Sequence, residues 1–303
     1  MSSSLPDGYT VRAATDADAE RMTEIVRASE EAVRGRSEMS VDDLRSWWKL
    51  IDLPTDSWVI ERNGEPCAGG MLVAHGDVPD FWGAVRPSET GRGLGSSLID
   101  LAEARARERG AGALRIGTFA ENVPSVTLLT SRGYRDVRHY VTMHVRLTEA
   151  PTPAWPEGLR VDPFRTEEAR AFYDALNDAF QDEWGWAQMD FEEWYRLRIE
   201  AADADTTLWF LVRDGDEIAA VVRNDPHRYG GGWVGAIGVR PSWRRRGVGF
   251  ALLQHTFAAF YERGIEEVRL GVDTQNSSGA TRLYERAGMS VEQEEVVYER
   301  ALA

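Results

Sequence analysis

The run VRPSWRRRGVGFALL, residues 239–253, crowds Arg244, Arg245 and Arg246 against Gly247 and Gly249 where an apolar helical pattern begins. The first amides of a helix lack intrahelical acceptors and carry the positive end of its dipole. Glycines let the main chain close on a phosphate, and arginines screen its charge. The chemistry on offer is a cradle for a phosphate or pyrophosphate, and three loop types compete for it. A Walker loop needs Gly-Lys-Ser/Thr after its glycines, where this chain has Phe250-Ala251. A dinucleotide fingerprint needs a third glycine at Leu252 and sits directly after the first strand, yet several elements precede this loop. The third type is an acyl-CoA loop, and the wider frame decides in its favour.

That frame has two parts. Arg244, Gly247 and Gly249 follow a strand that ends in Val-Arg-Pro, and Asn276 with Leu283, Tyr284 and Gly288 follows in NSSGATRLYERAGM. The pair, in this order and spacing, resembles the signature of the GCN5-related N-acetyltransferases. Among two-copy members the chain is similar to the mycothiol-synthase type of architecture. The resemblance implies an α/β protein of two tandem domains, each a mixed, mostly antiparallel central sheet flanked by helices. It implies transfer of an acetyl group from acetyl-CoA, as co-substrate, to a primary amine of a small molecule. Two other readings stay open: a non-catalytic acyl-CoA-binding or sensor protein, and a protein or peptide N-acetyltransferase.

The resemblance also implies roles. The main chain at Ile237 and Val239 would pair with the pantetheine as an extra strand would. Arg244, Arg245, Arg246, Gly247, Val248 and Gly249 would hold the pyrophosphate, and Asn276 would orient the cofactor or merely cap a helix. Tyr284 would return a proton to the departing thiolate, or else pack on the core side of its short helix. A phenol with a reference pKa of about 10 can protonate a thiolate whose acid lies near 8.5. For the base, the strand position that carries an acid in mycothiol-synthase-like members falls within GGWVGAIGV, which includes Trp233. The candidates are then Glu183 or a water chain leading to bulk, with His227 a distant third.

These elements occur twice. VRPSETGRGLG at 85–95 repeats as VRPSWRRRGVG at 239–249, RGAGALRIG as RGIEEVRLG, and WVIERNGEPCA as WFLVRDGDEIA. Helical periodicity covers 16–27 and 42–50 in the first copy, and 167–180 and 191–201 in the second. Hairpin turns fall at Asn63-Gly64 and Asp214-Gly215. The expected division is 1–149 as a non-catalytic domain, 150–157 as a proline-stiffened linker, and 158–303 as the catalytic domain. In the first copy Val85, Arg92, Gly93, Gly95 and Asn122 form a possible second CoA site, but Thr90 replaces Arg244. Either Leu129 or Thr130 stands opposite Tyr284, and neither side chain can serve as the acid.

Composition narrows the rest. With 303 residues, 43% apolar and 28% charged, the chain reads as globular. A formal charge of −15 argues against nucleic acid and suits an amine partner. No apolar run approaches the roughly 20 residues of a membrane span. MSSSLPDG reads as a frayed tail, and the single Cys67 suits a reducing cytoplasm and a buried, inert thiol. Neither it nor the five histidines have metal-ligand spacing. Trp184, Trp186 and Trp194 are candidates for lining a pocket. The internal duplication favours a monomer over a homodimer.

Overall fold

The computed structural model describes residues 5–74, 78–201, 204–276 and 279–302, so Met1–Ser4 of the expected frayed tail lie outside the described residues. In chain order the first repeat runs β1 (Thr10–Arg12), α1 (Ala19–Arg34), α2 (Val41–Trp48), α3 (Leu53–Asp56), β2 (Ser57–Arg62), β3 (Glu65–Val73) and β4 (Asp80–Val85). It continues through α4 (Leu94–Glu108), β5 (Ala113–Phe119), α5 (Val123–Ser131) and β6 (Arg135–Arg146). The second runs β7 (Leu159–Pro163), α6 (Ala169–Phe180), α7 (Phe191–Arg198), β8 (Phe210–Asp214), β9 (Glu217–Arg228) and β10 (Gly231–Val239). It ends with α8 (Val248–Glu262), β11 (Glu267–Asp273), α9 (Ala280–Arg286) and β12 (Ser290–Ala301).

Local chemistry explains the boundaries. Ser40 and Asp43 form a capping box that starts α2, and Asp190 accepts the Glu192 amide at 2.9 Å to start α7. Helix α1 runs past the expected Arg27 and stops at Gly35, which takes the left-handed φ of 76°. The second hairpin turn is Gly215-Asp216 rather than Asp214-Gly215, because Asp214 pairs with Glu217 and Gly215 takes φ 60°.

The chain forms two compact units, and their limits differ from the division expected at 150–157. One unit comprises the chain up to His139 with the residues from Glu294 on; the other is Tyr140–Gln293. The reason is strand pairing. Glu295–Ala301 of β12 pairs antiparallel with β5, and Tyr140–Arg146 of β6 pairs antiparallel with β11. Each repeat therefore supplies the closing strand of the other unit. Within 150–157, Trp155 packs against the α8 side chain His255, with ring centroids 6.0 Å apart.

The first unit orders its strands β1-β2-β3-β4-β5-β12, and the second β6-β11-β10-β9-β8-β7. Within each, the long-helix crossover joins a parallel pair, β4–β5 or β10–β11. In the second unit Val222, Val234 and Leu270 pack beneath α8, while Val221 and Leu211 pack against α6 and α7 with Phe172 and Trp194. Trp194 is thus core rather than pocket wall, and Trp186 stacks on Phe180 at 4.8 Å. Cys67 is buried, and burial pushes its thiol up, away from nucleophilic use.

His255 sits half-buried, edge-on to Phe210 at 4.6 Å, and burial holds its imidazole below the usual range. Its contribution to stability is complete above the unfolded value of 6.5 and is lost as pH falls through the lower folded value. Acidification from about pH 7.5 to about pH 5 should lower the melting temperature more in the parent than in His255→Leu. Equal drops would remove His255 from the acid response.

Candidate active site

The glycine loops of the two units share one backbone. Thr90 and Arg244 have φ,ψ of −62°,145° and −63°,154°, and Gly93 and Gly247 cap α4 and α8 at φ 88° and 84°. Between them Gly91 and Arg245 both take positive φ, 81° and 62°. At both caps the N-terminal residue is a glycine with no side chain to satisfy the first-turn amides. Those donors are open to an external anion, which is the fit a pyrophosphate requires. Val248 itself is core, so only its main chain can serve.

The arginines divide by task. Arg244 is committed to the protein: it donates to the Val239 carbonyl at 3.2 Å, the Ala179 carbonyl at 3.1 Å and the Asp182 carboxylate at 3.0 Å. It ties the loop to the end of α6 and is not a free phosphate ligand. Arg245 and Arg246 are exposed and make no ion pair among the described residues. They are the cations left to screen a phosphate. Arg244→Ala should therefore cost about 1–2 kcal/mol of stability, given a partly exposed side chain with three bonds. Urea unfolding measures this; an unchanged midpoint would deny the tie.

In the first unit the same loop carries its own counter-charge. Glu89, buried at the position of Trp243, pairs with Arg62 at 2.6 Å and with Arg92 at 3.1 Å, and accepts from the Tyr9 hydroxyl. The loop arginine Arg92 thus has a carboxylate partner, shared with Arg62, that Arg245 and Arg246 lack. The sequence signal was an acid at one repeat position where the other copy has tryptophan.

Next to each loop the parallel strands splay. Strand β10 pairs with β11 only from Gly232↔Val268 to Val234↔Leu270, then bulges at Gly235. Ile237 and Val239 remain paired to β9, opposite Val222 and Ala220, and their other edge borders the gap. Strands β4 and β5 part after Phe81↔Ile116, with β4 keeping an unbroken register on β3 through Val85↔Ala68. Gly95 and Gly249 pass close to Leu128 and Leu283, at 3.1 and 3.3 Å from where a Cβ would stand. Their role is packing between helices.

Two predicted residues bond to each other in the second unit, and a third lies within reach of the charge of one of them. The Asn276 amide donates to Glu183 Oε1 at 2.6 Å. Tyr284 is buried, its phenol raised by burial and then by the negative Glu183. Asn276 does not cap α9, whose N-cap is Gly279. Asn122 does cap α5, accepting the Ser125 amide at 3.2 Å. The helix ends settle which residue opposes Tyr284: Tyr134 N bonds to Leu129 O as Met289 N bonds to Tyr284 O, both at 3.1 Å. Leu129 is the counterpart, and it is buried, whereas Thr130 is exposed. His227 lies exposed on β9. Trp233 packs edge-on to Tyr229 at 5.1 Å and borders Gly271.

The acetyltransferase (GNAT) family matches residues 19–134 and 169–289, one match for each repeat. The chain belongs to this family. It is an acetyl-CoA-dependent acetyltransferase with two GNAT domains. A mycothiol acetyltransferase of Thermobispora bispora is 29% identical over 78% of this chain and 81% of its own length. One from Catenulispora acidiphila is 27% identical over 71% and 70%. Among solved structures, a GCN5-related N-acetyltransferase from Sphaerobacter thermophilus has a TM-score of 0.86 at 30% identity, covering 99% of this chain and 97% of its own. A tandem GNAT protein from the clavulanic acid biosynthesis pathway shares the fold, with a TM-score of 0.75 at 13% identity over 97% and 99%. Among the described residues no helix is long and apolar enough to cross a membrane, and no three metal-ligating side chains cluster.

Proposed function

We propose that the Tyr140–Gln293 unit is the catalytic one, acetylating a primary amine of a small molecule. The observation that carries this reading is the bond from Asn276 to Glu183, whose charge acts on the buried Tyr284, against Leu129 and a cap-bound Asn122 in the other unit. Likeness to mycothiol acetyltransferases over most of the chain supports a small acceptor.

Acetyl-CoA supplies the thioester, and the residues do the rest. First-turn amides of α8 with Arg245 and Arg246 hold the pyrophosphate, and the free edge at Ile237 and Val239 lines up the pantetheine arm. Glu183, oriented by Asn276, accepts the proton the amine releases as it attacks. Tyr284 donates its proton to the sulfur. Burial, and then the charge on Glu183, keep that phenol protonated at the start. Once Glu183 takes up a proton, its share of that effect disappears and Tyr284 becomes a stronger acid than before, so the two transfers support each other.

The test mixes the full-length protein with acetyl-CoA and an amine and peptide panel, following thiol release. Acetylation of small amines is the expected result. Acetylation of peptides alone would make it a protein acetyltransferase. Tight acetyl-CoA binding without turnover on any amine would make it a binding protein.

A further inference from the structure

Helices α1 and α6 start alike, at Ala19 and Ala169 after a short turn, yet α1 runs for 16 residues and α6 stops at Phe180 after 12. Counted from those alanines, Glu183 stands where α1 has Val33, still inside its helix. The early stop is what places Glu183 in a loop.

The last carbonyls of a helix have no intrahelical donor. At the end of α6 three of them find one elsewhere. Gln181 Nε2 donates to the Asp178 carbonyl at 3.0 Å, Arg244 Nη2 to the Ala179 carbonyl at 3.1 Å, and the Glu183 amide to the Phe180 carbonyl at 2.9 Å. A cation at this end also suits the helix dipole. The same guanidinium reaches the Asp182 carboxylate at 3.0 Å and the Val239 carbonyl at 3.2 Å. Arg240 adds a second tie to the helix, from Nε to Asp178 at 2.5 Å. Gly238 lets the helix end rest on β10: a Cβ there would stand 2.7 Å from that of Ala179 and 2.9 Å from the Phe180 ring. Trp186 folds the loop back, stacking on Phe180 and donating its amide to the Glu183 carbonyl at 3.2 Å.

The first unit differs at each of these points. Thr90 stands at the place of Arg244, Ala28 at that of Asp178 and Ala84 at that of Gly238. Arg86, the counterpart of Arg240, donates to the Pro66 carbonyl at 3.3 Å.

We propose that Arg244 is a positioning residue for the proton transfer: by capping α6 and holding Asp182, it sets Glu183 against Asn276. An ion pair as exposed as Arg244–Asp182 adds little to folding, so the use of the fork lies in its directions. It joins the end of β10, the end of α6 and the loop that carries Glu183. Lysine keeps the charge, but a single nitrogen on a flexible stem cannot span those three acceptors. An arginine whose motif points to phosphate thus acts on the acceptor side of the reaction. This inference rests on the catalytic reading above.

The experiment uses full-length R244K, R244M, E183Q and the double variant E183Q/R244M, with acetyl-CoA and the small amines of the panel. R244K and R244M should lower kcat at least about tenfold and leave the acetyl-CoA dissociation constant within about twofold. E183Q/R244M should be no slower than E183Q, because Arg244 acts through Glu183. Hydrogen exchange needs no amine: the segment 181–186 should exchange at least about tenfold faster in both Arg244 variants. R244K carries the test if R244M fails to fold. Parental kcat in R244K, with acetyl-CoA affinity lost in R244M, would make Arg244 a phosphate ligand and overturn the proposal. Losses that multiply in E183Q/R244M, or exchange at 181–186 unmoved in both variants, would overturn it too. Unchanged kcat in E183Q, or no amine acetylated, with that segment still exchanging faster in R244K, would keep Arg244 as the anchor of the loop and overturn the catalytic reading instead.

Discussion

Tyr284→Phe is expected to lower kcat by roughly 10- to 1,000-fold while acetyl-CoA affinity stays within about twofold. The residue is buried, so phenylalanine fills the same volume in the α8 core cluster and only the hydroxyl is lost. The loss falls on the step in which the thiolate needs a proton, because no interaction with bound cofactor is removed. Steady-state kinetics with calorimetric titration of acetyl-CoA separates the two effects. Leu129→Tyr, the reciprocal change in the other unit, should add no measurable turnover: Asn122 there is already spent as a helix cap. An unchanged kcat in Tyr284→Phe would show that water protonates the thiolate.

Gly247→Trp is expected to weaken acetyl-CoA binding at least about 100-fold, equivalent to about 2.8 kcal/mol, whereas Gly93→Trp should leave turnover intact. The lesions are matched. Both glycines cap their helices in the left-handed region, at φ 84° and 88°, so backbone strain is the same. Both look onto a proline, Pro156 at 3.9 Å and Pro6 at 3.5 Å from the would-be Cβ. What differs is charge: Arg245 and Arg246 stand open in one loop, while the other has one such arginine, Arg92, paired to Glu89. One tight site per chain is the corollary, read as stoichiometry in the same titration. If Gly93→Trp abolished turnover in a folded protein and Gly247→Trp spared it, the active unit would be the other one.

What could be read from the chain alone were features set by neighbours in sequence. The duplication, the α/β class, the family and the glycine caps all depend on local spacing, and each stands. So does the contrast between a helix bearing Tyr284 and one bearing leucine or threonine. The choice between Leu129 and Thr130 needed the hydrogen bonds that end the two helices, since a one-residue difference in length leaves both alignments open. Two residues of like type also took different tasks, Asn122 turning to its own helix and Asn276 to Glu183. Arg244 fits a phosphate ligand by motif, but its three acceptors lie on α6, the loop after it and β10, and only the fold brings these together.

The larger surprises have one cause. Strand pairing satisfies backbone donors and acceptors with no preference written into the pairing strand itself, so the repeats could close each unit with its own last strand or with the other's. Residue order implied the first; the tertiary structure took the second, placing Glu295–Ala301 on β5 and Tyr140–Arg146 on β11. The seat of Arg223 was hidden in the same way, since the β10 bulge with its bare Gly235 is what gives its guanidinium room. Sequence by itself determined the family and its chemistry; tertiary contact decided which strand closes each unit and what Arg244, Asn122 and Asn276 touch.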